Sequence, residues 1–300
     1  MFECVEFPSE GALLRGRLYL PAEPRRSPCV VMAHGTSATI TMVADDYARA
    51  FHAAGLGVLL YDHRNFGASG GEPRQEINPW SQARGYRDAV GFLKNDARID
   101  PARIAIWGDS YAGMIALVSG AIVDGVAAIV AQIPACGERL SSTAGSAVIA
   151  NDLRRMLEAG DTDADATRIG PLPVVSADQI NAPSLLKPIQ AFRWFMEYGG
   201  RHGSRWENKI TRVAPGGTVS FDVYGAAPLV RAPTLMMIGH DDEMVHCARE
   251  VQEAVFDRIL APKTLVEIEG GHFGLLWPPG AIFNRAASLQ IEFLRAHLLT

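Results

Sequence analysis

Ser110, His272 and the acid pair Asp241-Asp242 have types and spacing that could do nucleophilic chemistry. Arg103-Ile104-Ala105-Ile106-Trp107 runs, apolar and β-prone, into Gly108-Asp109-Ser110-Tyr111-Ala112-Gly113, and an apolar helical run from Met114 to Val118 follows. The pattern reads as a buried strand, a tight turn and a buried helix, with Ser110 on the tip of the turn. A serine hydroxyl attacks a carbonyl only when a base takes its proton and donors stabilise the resulting oxyanion. A sharp strand-to-helix turn serves both needs. It pushes the hydroxyl out of the sheet and aims the first helical N–H groups at the reacting carbonyl. Such a turn closes only between small neighbours, and Gly108 and Ala112 are small. Short Gly-x-Ser-x-Ala patterns also arise by chance, and a plain turn whose serine caps the helix fits the same residues.

A base and an acid decide between these readings. His272 stands in Glu269-Gly270-Gly271-His272-Phe273-Gly274, after an apolar strand over Lys263 to Ile268. Asp241 and Asp242 follow the strand Thr234 to Gly239. In open α/β sheets reacting groups gather outside the carboxyl ends of the strands. His272 is expected to take the Ser110 proton and later return it to the leaving group. An aspartate on the other ring nitrogen fixes the tautomer and stabilises the imidazolium. The oxyanion hole is expected from two backbone N–H groups, those of Tyr111 and of Thr36 in the loop His34-Gly35-Thr36. His34 reads as a structural residue that holds this turn. Asp62 and Arg64 read as partners of local backbone that shape a loop near the site.

The flanking elements must bring these groups together. Residues 4–8 and 13–20 alternate in polarity, so a half-exposed antiparallel hairpin opens the sheet. A buried strand over Pro28 to Ala33, a helix over about Val43 to Ala54 and a strand over Gly57 to Tyr61 follow. Next come a helix over about Trp80 to Asn95, the central strand with Ser110, and a strand over Val126 to Ile133. Such β-α alternation demands a mostly parallel sheet with helices on both faces. Helices over about Ala248–Leu260 and Ala281–Leu299 complete the pattern around the last two strands.

The rhythm breaks between about Ala135 and Ala227, a stretch too long for a loop. Helical runs appear around Val148–Ala159 and Leu185–Tyr198. The expected organisation is a core of residues 1–134 and 228–300 with a helical cap over 135–227. Phe192, Trp194, Phe195 and Trp206 cluster in this insert. With Phe273 and Trp277 they are candidate walls of an apolar acyl pocket, although such aromatics equally serve as a cap's own core.

Composition narrows the class. The chain has 300 residues, of which 48% are hydrophobic and 20% charged, enough for a large buried core. Net charge is −5, and without a basic block nucleic acid is not an expected partner. No leader or membrane-spanning run is visible, and Cys4, Cys29, Cys136 and Cys247 lack metal-ligand spacing. A cytoplasmic protein is the expectation, with no membrane partner. A homodimer is possible, since dimers are common for enzymes of this build, but no residue argues for one.

Ala33-His34-Gly35, Asp62-His63-Arg64-Asn65-Phe66-Gly67-Ala68-Ser69-Gly70, the Ser110 turn, the Asp242 loop and Gly271-His272-Phe273 together resemble the α/β-hydrolase superfamily. The resemblance implies an α/β-hydrolase fold, with a mostly parallel eight-stranded sheet and the triad order Ser, acid, His. Gly239-His240-Asp241-Asp242-Glu243-Met244-Val245 is similar to the family pattern Gly-x-x-Asp-x-x-Val, which selects Asp242 as the acid. The stretch from Asn65 through Gly71-Glu72-Pro73-Arg74, Pro79-Trp80 and Tyr86-Arg87-Asp88-Ala89 is similar to a narrower branch. That branch lies near the dienelactone hydrolases and Xaa-Pro dipeptidyl-peptidases and includes enzymes that release or transfer polyketide acyl chains. Dienelactone hydrolases use a cysteine where this chain has Ser110, the dipeptidyl-peptidases carry extra domains, and no His-Gly-Gly-Gly motif is present. The expected activity is cleavage of a small-molecule carboxylic ester or thioester through an acyl-Ser110 intermediate, needing no cofactor and no metal. Acyl transfer with the same triad is the first rival. A C–C hydrolase or amidase and a non-catalytic binding protein are the others.

Overall fold

The computed structural model describes residues 1–22, 26–140, 146–158, 166–214 and 220–299. The hairpin β1 (Glu3–Ser9) and β2 (Ala12–Tyr19) leads into β3 (Ser27–Ala33), α1 (Ala44–Ala53) and β4 (Gly57–Tyr61). The short β5 (Glu76–Ile77), α2 (Pro79–Lys94), β6 (Ile99–Asp109), α3 (Ser110–Ile122) and β7 (Val126–Gln132) follow. The insert holds α4 (Ser146–Glu158), β8 (Thr167–Leu172), α5 (Ile189–Gly199), β9 (Ile210–Ala214) and α6 (Val223–Ala226). The closing elements are β10 (Thr234–Gly239), α7 (Arg249–Arg258), β11 (Lys263–Ile268) and α8 (Ala281–Leu298). No described helix is long and apolar enough to cross a membrane.

Eight strands form the main sheet in the order β1-β2-β4-β3-β6-β7-β10-β11. Only β2 pairs antiparallel to its neighbours; every other described pairing in this sheet is parallel. Period-two alternation sends successive strand residues to opposite faces. Val30, Met32, Ala105 and Trp107 face a core layer under α1 and α8, while Cys29, Val31, Ile104 and Ile106 face one under α2 and α3. Both layers are lined by buried apolar side chains, so β3 and the Ile104–Trp107 part of β6 read as continuous apolar runs.

Trp107 fastens the first layer. It is fully buried, packs on Tyr47, and donates its indole N–H to Gln290 Oε1 at 2.6 Å. Trp107→Ala is expected to destabilise the fold by about 3–5 kcal/mol. The indole volume is lost and Gln290 is left without that donor. A urea midpoint within experimental error of the wild-type value would refute this.

The insert departs from a helical cap in two ways. Helix α4 covers the expected run Val148–Ala159 up to Glu158, Ala159 lying outside the described residues, but it packs away from the cap position. Its Leu153 and Leu157 join the core layer of α2 and α3, and Arg84 Nη1 donates to Met156 O at 2.9 Å. Val223 and Ala226 of α6 enter the same layer. Both helices therefore pack with the body, because their apolar residues find its open face. The second departure is a three-stranded sheet in the order β5-β9-β8, which reaches outside the insert for β5. Strand β8 is mostly exposed and carries Gly170-Pro171, so it has no alternating apolar pattern to announce it.

Helix α5 does lie beside the His272–Gly274 turn that follows β11. Ala191, Trp194, Phe195 and Tyr198 form its buried stripe at helical spacing. Trp194 Nε1 donates to Leu276 O at 2.7 Å, and the Tyr198 hydroxyl to Pro278 O at 3.1 Å. These bonds tie the insert to the loop that follows His272.

Candidate active site

Ser110 is the first residue of α3 and sits at φ 53°, in the left-handed region that a non-glycine residue enters at a cost of about 1–3 kcal/mol. Strand β6 and helix α3 over-determine it from both sides. The turn is tight enough that a Cβ at Gly108 would collide with the backbone of Ala112. Glycine at 108 is therefore required by close approach.

Three loops meet at Ser110. Its Oγ lies 3.0 Å from Nε2 of His272, which follows β11. Nδ1 of His272 lies 2.9 Å from Asp242 Oδ2, in the loop after β10. With Nδ1–H donating to the carboxylate, Nε2 is left free to accept the serine proton. The second oxygen of Asp242 accepts the Met244 N–H at 2.9 Å, so the carboxylate has one orientation. The imidazole and the Asp242 side chain are both buried. Asp241, the other carboxylate the sequence offers, is exposed and faces His240.

Two acids that the sequence did not single out position this assembly. Glu243 Oε2 accepts the backbone N–H of His272 at 2.8 Å. Asp109 Oδ1 accepts the N–H of Gly35 at 2.9 Å and so ties the loop after β3 to the serine turn. Burial raises the Asp109 carboxyl to about 6, against the pull of His272. A Cβ at Gly35 would stand 3.0 Å from Asp109 O and 3.1 Å from Ser110 Cβ, so the approach also needs a glycine. Both bonds run from a side chain to a distant backbone amide, which leaves no local sequence pattern.

His34 is buried away from the serine chemistry. Its Nδ1 bonds Gly35 O at 3.0 Å, and its Nε2 accepts the His63 N–H at 3.4 Å. Burial lowers its pKa, so it is a neutral brace. Asp62 accepts the backbone N–H groups of Ile40 and Ala68 at 2.9 and 2.8 Å, and Arg64 donates to Glu72 O at 3.4 Å.

Ser110 and His272 open into a cavity of about 340 Å³. Gly35, Thr36 and Tyr111 line the same cavity. Of the expected aromatic walls, Trp194, Phe195 and Phe273 face it. The other three do not. Trp206 stacks behind Phe195 with ring centroids 5.2 Å apart. Phe192 lies off the buried stripe of α5 and packs at the edge of the core. Trp277 is 40% exposed and lines a separate groove beside Gln190 and Arg193. Leu185, Leu186, Phe221 and Met244 supply apolar wall in their place, and Arg212 adds one cation. Helical spacing alone separates Trp194 and Phe195 from Phe192; nothing local marks the others.

Cys247 Sγ lies with an Asp242 oxygen and a His272 nitrogen within 4.8 Å, a donor set that suits zinc. The carboxylate and the imidazole are already bonded to each other, and burial pushes the Cys247 thiol well up. That keeps it protonated rather than the thiolate a metal binds.

The fold is that of an alpha/beta hydrolase, and Ser110, Asp242 and His272 meet at the carboxyl ends of β6, β10 and β11. The chain belongs to the alpha/beta hydrolase family, whose model matches residues 30–284. It is 30% identical to the thiohydrolase apmlB of Arthrinium phaeospermum, over 97% of this chain and 96% of that one. It is also 30% identical to the polyketide transferase grgF of a Penicillium species, over 98% and 96% of the two chains. The crystal structure of the alpha/beta hydrolase GrgF from Penicillium sp. sh18 superposes with a TM-score of 0.74 at 25% identity, covering all of both chains.

Proposed function

We propose that this chain is a serine hydrolase that cleaves an acyl thioester or carboxylic ester through an acyl-Ser110 intermediate. The observation that carries the reading is the unbroken chain of contacts from Ser110 Oγ to His272 to Asp242 on the wall of an apolar cavity. In the first step Ser110 Oγ adds to the acyl carbonyl as His272 Nε2 takes its proton. The N–H groups of Tyr111, in the first turn of α3, and of Thr36, in the turn after β3, hold the oxyanion; no backbone bond of the loops and turns among the described residues engages either. Collapse breaks the bond to the leaving thiol or alcohol, which takes the proton from His272. Water, deprotonated by His272, then releases the acid and restores Ser110.

Acyl transfer is a second reading, supported by the relatives that are named polyketide transferases. It differs only in which acceptor reaches the acyl-enzyme, and a water-poor cavity favours it. Trp194, Phe195 and Phe273 give the apolar wall that could exclude water.

The test is mass analysis after exposure to a fluorophosphonate. Wild type is expected to gain one adduct on the Ser110 peptide, and Ser110→Ala none. An unlabelled wild type that also resists a smaller organophosphate would sink the reading. Products formed from an acyl thioester with and without an added alcohol then separate hydrolysis from transfer.

A further inference from the structure

Arg212 is the one charged side chain of the cavity that the triad chemistry leaves without a task. It stands on β9, opposite Ile77 of β5 and Ile169 of β8. Directly paired residues project from the same face of a sheet, and Ile77 and Arg212 both line the cavity. Ile77 is buried whereas Arg212 is exposed, which puts the guanidinium at the mouth and its neighbour deeper.

Two other arginines of the insert are occupied. Arg168 meets Glu76 at 3.0 Å, and Arg201 lies 3.6 Å from Asp46. Arg212 has no ion pair or hydrogen bond among the described residues. The acid of the same cavity, Asp109, already accepts the Gly35 N–H. A second group points the same way. The Tyr111 hydroxyl has no hydrogen-bond partner among the described residues, and Tyr111 lines the cavity within electrostatic reach of Arg212. Arg212 and the Tyr111 hydroxyl thus stand unpartnered in a wall whose other polar members are Ser110, His272, Thr36, Asp109 and His246. A guanidinium presents a planar fork of donors that fits carboxylate and phosphate oxygens.

We propose that Arg212 and the Tyr111 hydroxyl form an anion site at the mouth of the acyl cavity, and that the substrate carries an anionic oxygen group there. This rests on the acyl-serine reading and specifies its substrate class. Two parts of a thioester could bring the anion. One is a carboxylate on the acyl chain. The other is a phosphate on the thiol carrier.

The test is calorimetric binding to the Ser110→Ala protein, which cannot turn the ligands over. The ligands are hexanoyl and adipoyl thioesters, each made on N-acetylcysteamine and on coenzyme A. On N-acetylcysteamine, adipoyl is expected to bind at least about tenfold tighter than hexanoyl. Added Arg212→Gln should bring that ratio to within about twofold, and Arg212→Lys should restore part of it. If the preference instead follows coenzyme A over N-acetylcysteamine and vanishes in Arg212→Gln, the anion is the carrier phosphate and the site stands. Should Arg212→Gln move all four affinities alike, or none, the site is overturned. Hydrolysis of the hexanoyl thioester by the protein with Ser110 intact is measured apart. Its absence would count against the acyl-serine reading while the binding ratios remain readable.

Discussion

Ser110→Ala is expected to lower kcat on a short acyl thioester by about 10⁴- to 10⁶-fold, with the fold intact. The loss follows from geometry. Removing Oγ deletes the atom that bonds to the acyl carbon and leaves His272 Nε2 with no serine proton to take. What survives is binding in the cavity and the backbone N–H groups around the carbonyl, which together retain part of the rate over water. His272→Ala should cost about as much, and the double variant little more, because the two groups act as one unit.

Stability supplies a second readout on the same residue. At φ 53°, Ser110→Ala keeps the left-handed strain, so its urea midpoint should stay near wild type. Ser110→Gly removes about 1–2 kcal/mol of that strain and adds about 0.4–1 kcal/mol of unfolded-chain entropy. It should be equally inactive yet no less stable than wild type. A glycine elsewhere in the first turn of a helix would be expected to destabilise. Measured kcat within tenfold of wild type in either variant would remove Ser110 from the chemistry.

The side chains that meet at Ser110 were legible because each sits where an apolar strand stops. Strand β6 and helix α3 are both buried, so the short polar gap between them had to be a sharp turn, and Gly108 and Ala112 allowed it to close. The loops after β10 and β11 are marked in the same way, by apolar runs that end at Gly239 and Ile268. Physical pattern alone left Asp241 and Asp242 open. Packing separates them, since one carboxylate is exposed and the other is buried against His272.

The insert was harder to read, for three distinct reasons. Helix α4 is amphipathic, but an apolar stripe does not say which neighbour it will cover, and Leu153 and Leu157 cover α2 and α3. Strand β8 is exposed and holds a Gly-Pro pair, so it takes its form from pairing with β9 rather than from its own residues. Glu243 holds the His272 N–H across a long sequence separation, and Arg212 reaches the cavity wall from β9, so no local pattern marks either residue. The mistaken pocket walls are a different matter. The spacing of Ala191, Trp194, Phe195 and Tyr198 already placed Phe192 off the buried stripe of α5.

Asp242→Asn is expected to lower kcat by about 10⁴-fold without loosening the fold. The Met244 N–H decides the outcome. It donates to Oδ1 of residue 242, so an asparagine there must keep its carbonyl oxygen on Met244 and turn its NH₂ toward His272. Nδ1 of the imidazole then faces a donor and becomes the acceptor. The ring proton moves to Nε2, the nitrogen 3.0 Å from Ser110 Oγ, where a base is needed and a donor now stands. Glu243 cannot repair this, because its carboxylate holds the backbone N–H of His272 rather than the ring. Hence Asp242→Asn should keep the position of His272 but present the wrong tautomer. Asp241→Asn is the internal control: exposed and unbonded to His272, it should change kcat by less than about twofold. Nitrogen-15 chemical shifts of the His272 ring read the tautomer directly, and kcat on a short acyl thioester reads its consequence. Full activity in Asp242→Asn with a proton still on Nδ1 would show that Asp242 does not set the base, and a large loss in Asp241→Asn would transfer the role to its neighbour.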